Sequence, residues 1–536
     1  MKFLIYFTTL NYKTWNSMAI HLKRIYPESQ FAGIISAHGA IKGFLENQTD
    51  LKYEFLYEMT DIEKKFLKKD IDYKEIGEFE ETTKEKSIWR FIAVDRTWGY
   101  PFSKGYLPVK YISKNKISHE NVLRVVGGYI KYFKNILSEF DPDIVVFMLG
   151  MQSMMAPIFE QSCKNRNIPF IQPAITKIQN YFTFTTNKEI IFNQINDTYR
   201  KIMNGDIFID SLSPGEKCYE EMFFAFKSKK NTYYFDQGSI YIEKLIKNRA
   251  SKQIYSYLEY LKVIITTFLH WHRMRLLEKE KRKELNGDVT QIRLNYSFKE
   301  LFYFYYYNLY KTFQVKKLSK KSFYDKYDPN EKYLYFPLHV TPEYAIQVRA
   351  NIWINQLYVI EILAKSIPFD WKIYVKEHPG QIGWRVRPFS FYKEIKKYTN
   401  VKLIPSDMDN HQVISNAQLV VSIVGTPAWE AILFHGKPVI TFSDDFYGIT
   451  NLAKKVDNIV ELSEQIHNEV KRIKSISSYD RKKRIICLLN AIIMNSFWAE
   501  KPLIILGEDP NPLTEEEIRT NGEILSNAIK KYIESH

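Results

Sequence analysis

The chain has 536 residues, 45% of them hydrophobic, a formal net charge of +15, and three widely separated cysteines, Cys163, Cys218 and Cys487. This composition excludes a disordered chain, and the cysteine spacing excludes both a disulfide framework and a regular zinc site. The longest apolar runs, Ile144–Leu149 and Val263–Leu269, fall far short of the roughly 20 residues of a membrane-spanning helix.

The N-terminal MKFLIYFTTLNYKTW reads as a first β-strand rather than a cleaved leader, because polar residues follow the short apolar run at once. A cytoplasmic, reducing location is the expectation. The basic balance points either to an anionic partner or to a merely lysine-rich surface. A nucleic-acid-binding protein is one reading of the charge, but no helix-turn-helix, zinc-finger or RNA-recognition signature accompanies it, so no nucleic-acid partner is expected.

In chain order, strands are predicted at Lys2–Thr8, Gln30–Ser36, Ile144–Met148 and Ile168–Gln172, with helices at Trp15–Tyr26, Val122–Phe140 and Met151–Arg166. This alternation predicts a doubly wound α/β domain over 1–185. The segment 186–330 carries few strand signals. Ser239–Glu284 has helical spacing and ends in the charge run Arg273–Lys283, and Phe298–Phe313 is aromatic on most faces. These basic and aromatic helices predict burial against another domain or a peripheral contact with a membrane surface.

From residue 331 the α/β rhythm returns. Strands are expected at Tyr333–Pro337, Trp371–Lys376, Val401–Ile404, Leu419–Ile423 and Pro438–Phe442, and helices at Ile346–Ser366, His411–Asn416 and Trp429–Phe434. A second Rossmann-type domain over 331–480 follows, with C-terminal helices over 481–536.

In open α/β sheets, ligands gather beyond the carboxyl ends of the strands. Three segments of the second domain place polar residues there. Phe336–Tyr344 brings His339 and Glu343. Lys376–Gly380 brings Lys376 and His378, with Arg385 and Arg387 just beyond. Ser422–Glu430 brings Ser422, Gly425, Thr426 and Glu430. In the third segment, Gly425 permits a tight turn, Thr426 suits the N-cap and Pro427 the first helical position. A helix starting there offers N–H groups and a positive dipole end to a nucleotide phosphate. Glu430 either accepts hydrogen bonds from ribose hydroxyls or simply complements the dipole. The cations around His378 suit a diphosphate, and His38, after the second strand, is either a catalytic base or a capping residue. His270 and His272, two apart, diverge on a helix, and no metal site is expected.

The stretch from Tyr333 to Tyr447 resembles the C-terminal half of the capsular polysaccharide biosynthesis glycosyltransferases, a group related to the capsule Kdo transferases. The matching pieces are FPLHVTPE, VKEHP, the run Leu403–Phe442 and FYG at Phe446–Gly448. The resemblance implies a GT-B fold, with nucleotide sugar held by the C-terminal domain and a glycan or lipid-linked glycan acceptor by the N-terminal one. It also implies that His378 contacts the nucleotide phosphate, Gly425 and Thr426 bind phosphate, and Glu430 binds ribose. The donor, CMP- or UDP-linked, is a substrate, and no cofactor is called for. A teichoic-type polyol phosphotransferase and a sugar-nucleotide epimerase are alternatives on the same scaffold.

Overall fold

The computed structural model describes residues 1–9, 12–36, 39–102, 117–147, 153–176, 178, 180–185, 193–210, 212–228, 262, 264–273, 276, 298–318, 320–384, 387–499 and 513–535. The chain is mixed α/β and divides into two compact units. One comprises Met1–Val94, Ile117–Lys217 and Cys487–His536, and the other Asp95–Lys116 and Cys218–Ile486.

The first unit is built on β1 (Lys2–Phe7), β2 (Gln30–Ile35), β3 (Phe55–Glu58), β4 (Ile144–Val146), β5 (Phe170–Ile175) and β6 (Tyr181–Thr185). The second contains β7 (Tyr333–Pro337), β8 (Lys372–Lys376), β9 (Val401–Ile404), β10 (Leu419–Ser422), β11 (Val439–Thr441) and β12 (Lys454–Lys455). The short β13 (Phe497–Trp498) returns to the first unit.

The first sheet runs β13-β6-β5-β4-β1-β2-β3. Its β1 to β5 are parallel, and β6 and β13 add an antiparallel edge. Strands β1 and β2 are buried on both faces, which is why they read as unbroken apolar runs instead of alternating ones. The C-terminal residues, read from the sequence as helices over 481–536, include this strand. Phe497 stacks on Phe182 with ring centroids 6.2 Å apart. The Glu515–Ser535 helix lies close against the Tyr12–Ile25 helix: a Cβ added at Gly522 would come within 2.3 Å of the Ser17 hydroxyl.

The second sheet is parallel throughout, in the order β12-β11-β10-β7-β8-β9. Read from the other edge, the first strand of this sheet lies between the second and the fourth. That is the doubly wound dinucleotide-binding order, with its topological switch point between β7 and β10. Its core includes Leu334, Phe336, Ile373, Val375, Leu403, Val421 and Ile440, all fully buried.

Two local expectations need correction. Ile346–Ser366 is not one helix. A π turn (Ala345–Arg349) and a 3-10 turn (Asn351–Trp353) precede a helix that begins only at Gln356. Ala350 and Asn355 leave helical backbone angles; asparagine readily does so, because its short amide competes for nearby backbone groups. The second correction concerns the Thr426–His435 helix, whose N-cap is Gly425 rather than Thr426. Of the basic middle region, most of Ser239–Glu284 lies outside the described residues, whereas the aromatic segment is a helix, Phe298–Leu318.

Candidate functional site

The carboxyl ends of β7, β8 and β10 are neighbours in the second sheet, and they bring together residues far apart in sequence. His339 stands two positions beyond β7. Its backbone N–H donates to Gln356 Oε1 at 2.8 Å, and its carbonyl accepts from Gln356 Nε2 at 3.0 Å and from the Arg387 guanidinium. The ring turns inward: Nε2 lies beside the Val424 carbonyl, 3.3 Å from Ser422 Oγ and 3.3 Å from the Val424 nitrogen. Ser422 is fully buried and donates to the Val424 carbonyl at 3.1 Å. These two predicted ligand contacts instead shape the turn that leads to Gly425. Glu343 is exposed on the π-turn side.

Gly425 has φ +120°, a region essentially closed to residues with a Cβ, so this position requires glycine. Of the N–H groups at this turn, that of the N-cap Gly425 is not open to a phosphate. The Gly425 N–H already donates to Asp445 Oδ2 at 3.0 Å. Asp445 Oδ1 accepts from the Phe446 N–H at 2.9 Å and from Arg349 at 3.2 Å. The Tyr447 hydroxyl donates to the Gly425 carbonyl at 3.2 Å. Thr426 is the first helical residue and is partly exposed, so its hydroxyl can meet a partner from outside. Gly425→Ala is expected to destabilise the protein by about 1–3 kcal/mol through backbone strain. The urea midpoint measures this, and an unchanged midpoint would contradict the strain argument.

His378 follows β8 by two residues. Its backbone N–H donates to Glu377 Oε1 at 2.8 Å, and its Nδ1 accepts from the Gly380 N–H at 3.1 Å. The second bond leaves the proton of the neutral ring on Nε2. The ring is exposed, yet protein crowds it. The packing around it, then the neighbours His339, Lys376 and Arg387, lower its pKa from the usual imidazole value. It is therefore a neutral N–H donor at pH 7.

Beneath it lies a buried pair that the sequence did not announce. Arg387 is 0% exposed and Glu377 1%. Arg387 Nε donates to Glu377 Oε2 at 2.7 Å, the Tyr392 hydroxyl donates to the same oxygen at 2.8 Å, and the guanidinium sits 4.6 Å over the Phe391 ring. Arg387 thus braces the loops carrying His339 and His378 and is not presented to a diphosphate. Arg385, its predicted companion, lies outside the described residues, as does His38.

Lys376, the last residue of β8, is buried and donates Nζ to the Met408 carbonyl at 2.7 Å. Burial pulls its pKa down to about 8, opposed by Glu430, Asp409 and Asp407. Glu430 is 6% exposed. Burial pushes its carboxyl up to about 7, against the hydrogen bond from Asn410 and the charge of Lys376. At this strand edge His378 Nε2, Thr426 Oγ1 and Glu430 Oε1 are not engaged by the hydrogen bonds described above, and Trp429 Nε1, in the first turn of the helix, is buried without a partner among the described residues. An N–H donor and a hydroxyl beside a helix N-terminus suit the phosphate of a ribonucleotide, and a carboxylate oxygen suits its ribose hydroxyls. No cluster of His, Cys, Asp or Glu able to hold a metal occurs among the described residues.

Residues 294–472 match the family model of the capsule polysaccharide biosynthesis proteins. The match spans the whole second sheet and every motif named above, and it shows the capsule-family resemblance over this stretch. No curated protein matches the chain. Several solved structures show a weak likeness. A UDP-GlcNAc 2-epimerase from Neisseria meningitidis, bound to UDP-GlcNAc, is 12% identical; the match covers 92% of this chain and 98% of that one, with a TM-score of 0.23. A glycosyltransferase from Rickettsia africae is 11% identical over 99% and 98% of the two chains, with a TM-score of 0.24. The N-terminal domain of a Candida albicans trehalose-6-phosphate phosphatase is 11% identical over 99% and 96%, with a TM-score of 0.29. At these scores none of the three carries a functional argument, and the site is read from its own residues.

Proposed function

We propose that this chain is a glycosyltransferase that moves a sugar from a nucleotide-activated donor to a capsular or other surface polysaccharide, free or lipid-linked. The observation that carries the reading is the set of polar atoms at the switch point, on His378, Thr426 and Glu430, within the segment that matches the capsule family. In this reading the nucleotide phosphate meets the first turn of the Thr426–His435 helix and the His378 Nε2–H. The ribose meets Glu430. As the glycosidic bond to phosphate breaks, negative charge grows on the leaving oxygens, and a neutral donor already aimed there stabilises it without reorganisation. A CMP- or UDP-linked donor is proposed, with the protein working at the cytoplasmic side of a membrane. Incubation of the full chain with a panel of CMP- and UDP-sugars and a capsular oligosaccharide tests this. Acceptor-dependent release of free nucleotide is expected, and its absence across the panel would reject the reading.

A peripheral membrane contact belongs to the same proposal. No helix among the described residues is long and apolar enough to cross a membrane. The helical stretch 264–273, however, exposes Ile264, Ile265, Phe268 and Leu269 beside Lys262 and Arg273. Apolar and basic groups on one surface suit an anionic lipid interface. Co-sedimentation with anionic vesicles is expected at low salt and loss of it at high salt. Absence of binding even at low salt would remove the membrane from the account.

A further inference from the structure

Asn410 opens the Asn410–Asn416 helix, with Asp409 capping it through the His411 N–H at 2.9 Å. Its side-chain amide lies between two groups. Oδ1 accepts from the Tyr335 hydroxyl at 2.6 Å, and Nδ2 donates to Glu430 Oε2 at 2.6 Å. The direction of this chain is set by chemistry. A phenol kept protonated by full burial donates, an amide oxygen only accepts, and an amide nitrogen only donates. Turned over, the amide would set its oxygen against the carboxylate and its NH2 against the phenol. The acceptor-only Glu430 carboxylate selects this orientation, and Tyr335, in the middle of β7 and fully buried, supports it by donating to Oδ1.

We propose that Asn410 is the positioning residue of the nucleotide site: it takes Glu430 Oε2, so that Oε1 alone faces the ribose hydroxyls, and Tyr335 holds the Asn410 amide in place through its oxygen. The inference rests on the nucleotide reading of the site and adds to it a selectivity for the ribose. A carboxylate oxygen held in one place accepts from a hydroxyl strongly, whereas a carboxylate free to rotate loses that geometry. The charged and titratable groups facing Glu430 are Lys376 at the end of β8, Asp409 ahead of the helix and Tyr335 from β7. Of the polar neighbours, Asn410 and Lys376 favour the charged carboxylate, while Asp409 opposes it.

The test compares binding of CMP and UDP with binding of their 2′,3′-dideoxy counterparts, by titration calorimetry of the full chain at several pH values. Wild type is expected to prefer the ribonucleotide by about tenfold to a hundredfold, the span of one charge-assisted hydrogen bond. In Asn410→Ala that preference should fall to about threefold or less at pH 7. Part of it should return at higher pH, because the carboxyl that has lost its donor needs a higher pH to ionise. Tyr335→Phe, nearly isosteric in the buried core, should shift the ratio the same way by a smaller factor and gives a second reading if Asn410→Ala does not fold. A ribose preference unchanged in both variants, or lowered equally at every pH, would overturn the positioning role while leaving the nucleotide site standing. A wild type that binds no nucleotide, or binds both sugars alike, would overturn the site reading itself.

Discussion

Arg387→Met is expected to destabilise the protein by about 3–5 kcal/mol, because it leaves the Glu377 carboxylate buried without its countercharge. Glu377 would keep hydrogen bonds from Tyr392 and from the His378 backbone, but neither brings positive charge. The double variant Arg387→Met/Glu377→Gln should recover a large part of the loss, since the pair itself contributes little beyond offsetting its own desolvation. Equilibrium urea denaturation of wild type, both single variants and the double variant measures the coupling. A single-variant loss below about 1 kcal/mol would mean that water reaches the pair. The same substitution should also impair turnover, because Arg387 holds the His339 carbonyl and, through Glu377, the His378 backbone.

The second large effect is on chemistry. His378→Ala should lower turnover by about a hundredfold to a thousandfold, the usual scale for removing one donor from developing negative charge. Nucleotide affinity should change by less than about threefold, because the interaction strengthens only as the bond to phosphate breaks. With its pKa lowered by the protein packed around it and by His339, Lys376 and Arg387, His378 is neutral at pH 7 and above. Its Nε2 proton is present throughout this range, so this group causes no loss of activity between pH 8 and 7. Glu430 behaves differently. Its carboxyl, raised to about 7, gains charge as pH rises through 7, and nucleotide affinity should strengthen over that interval. Equal losses in turnover and affinity for His378→Ala would assign the ring to ground-state binding instead.

Much of this was legible in the sequence for identifiable reasons. Strands buried on both faces, such as β1 and β7, appear as continuous apolar runs, and they alternate with helices, so two doubly wound units follow. Gly425 could be recognised because a Gly-Thr-Pro turn after a strand demands a backbone that only glycine adopts easily. What stayed hidden depends on pairing across the fold. Arg387 reads as a spare loop charge until Glu377, ten residues earlier, is seen beneath it. Asp445 lies next to the recognised Phe446–Gly448 piece, but nothing local says that its carboxylate takes the Gly425 N–H. Asn410, in a run of turn-forming residues, falls just ahead of the expected His411–Asn416 helix, and its link to Glu430 spans two helices. His339 was expected to face ligand because it follows a strand. Its ring instead turns to the Val424 backbone, an orientation set by the neighbouring strand's turn, which periodicity does not report.

In the proposed function, the switch point of the second sheet is a nucleotide site in which Glu430 receives the ribose. Calorimetric titration of CMP and UDP into wild type and Glu430→Gln tests it most directly. The substitution keeps the shape and removes the charge of the acceptor, a change worth about 1.5–3 kcal/mol for a charge-assisted hydrogen bond. The expected result is saturable binding to wild type and a loss of about tenfold to a hundredfold in the variant at pH 8, where the native carboxyl, with its pKa near 7, is mostly charged. Equal affinities at that pH, with both proteins folded, would contradict the claim.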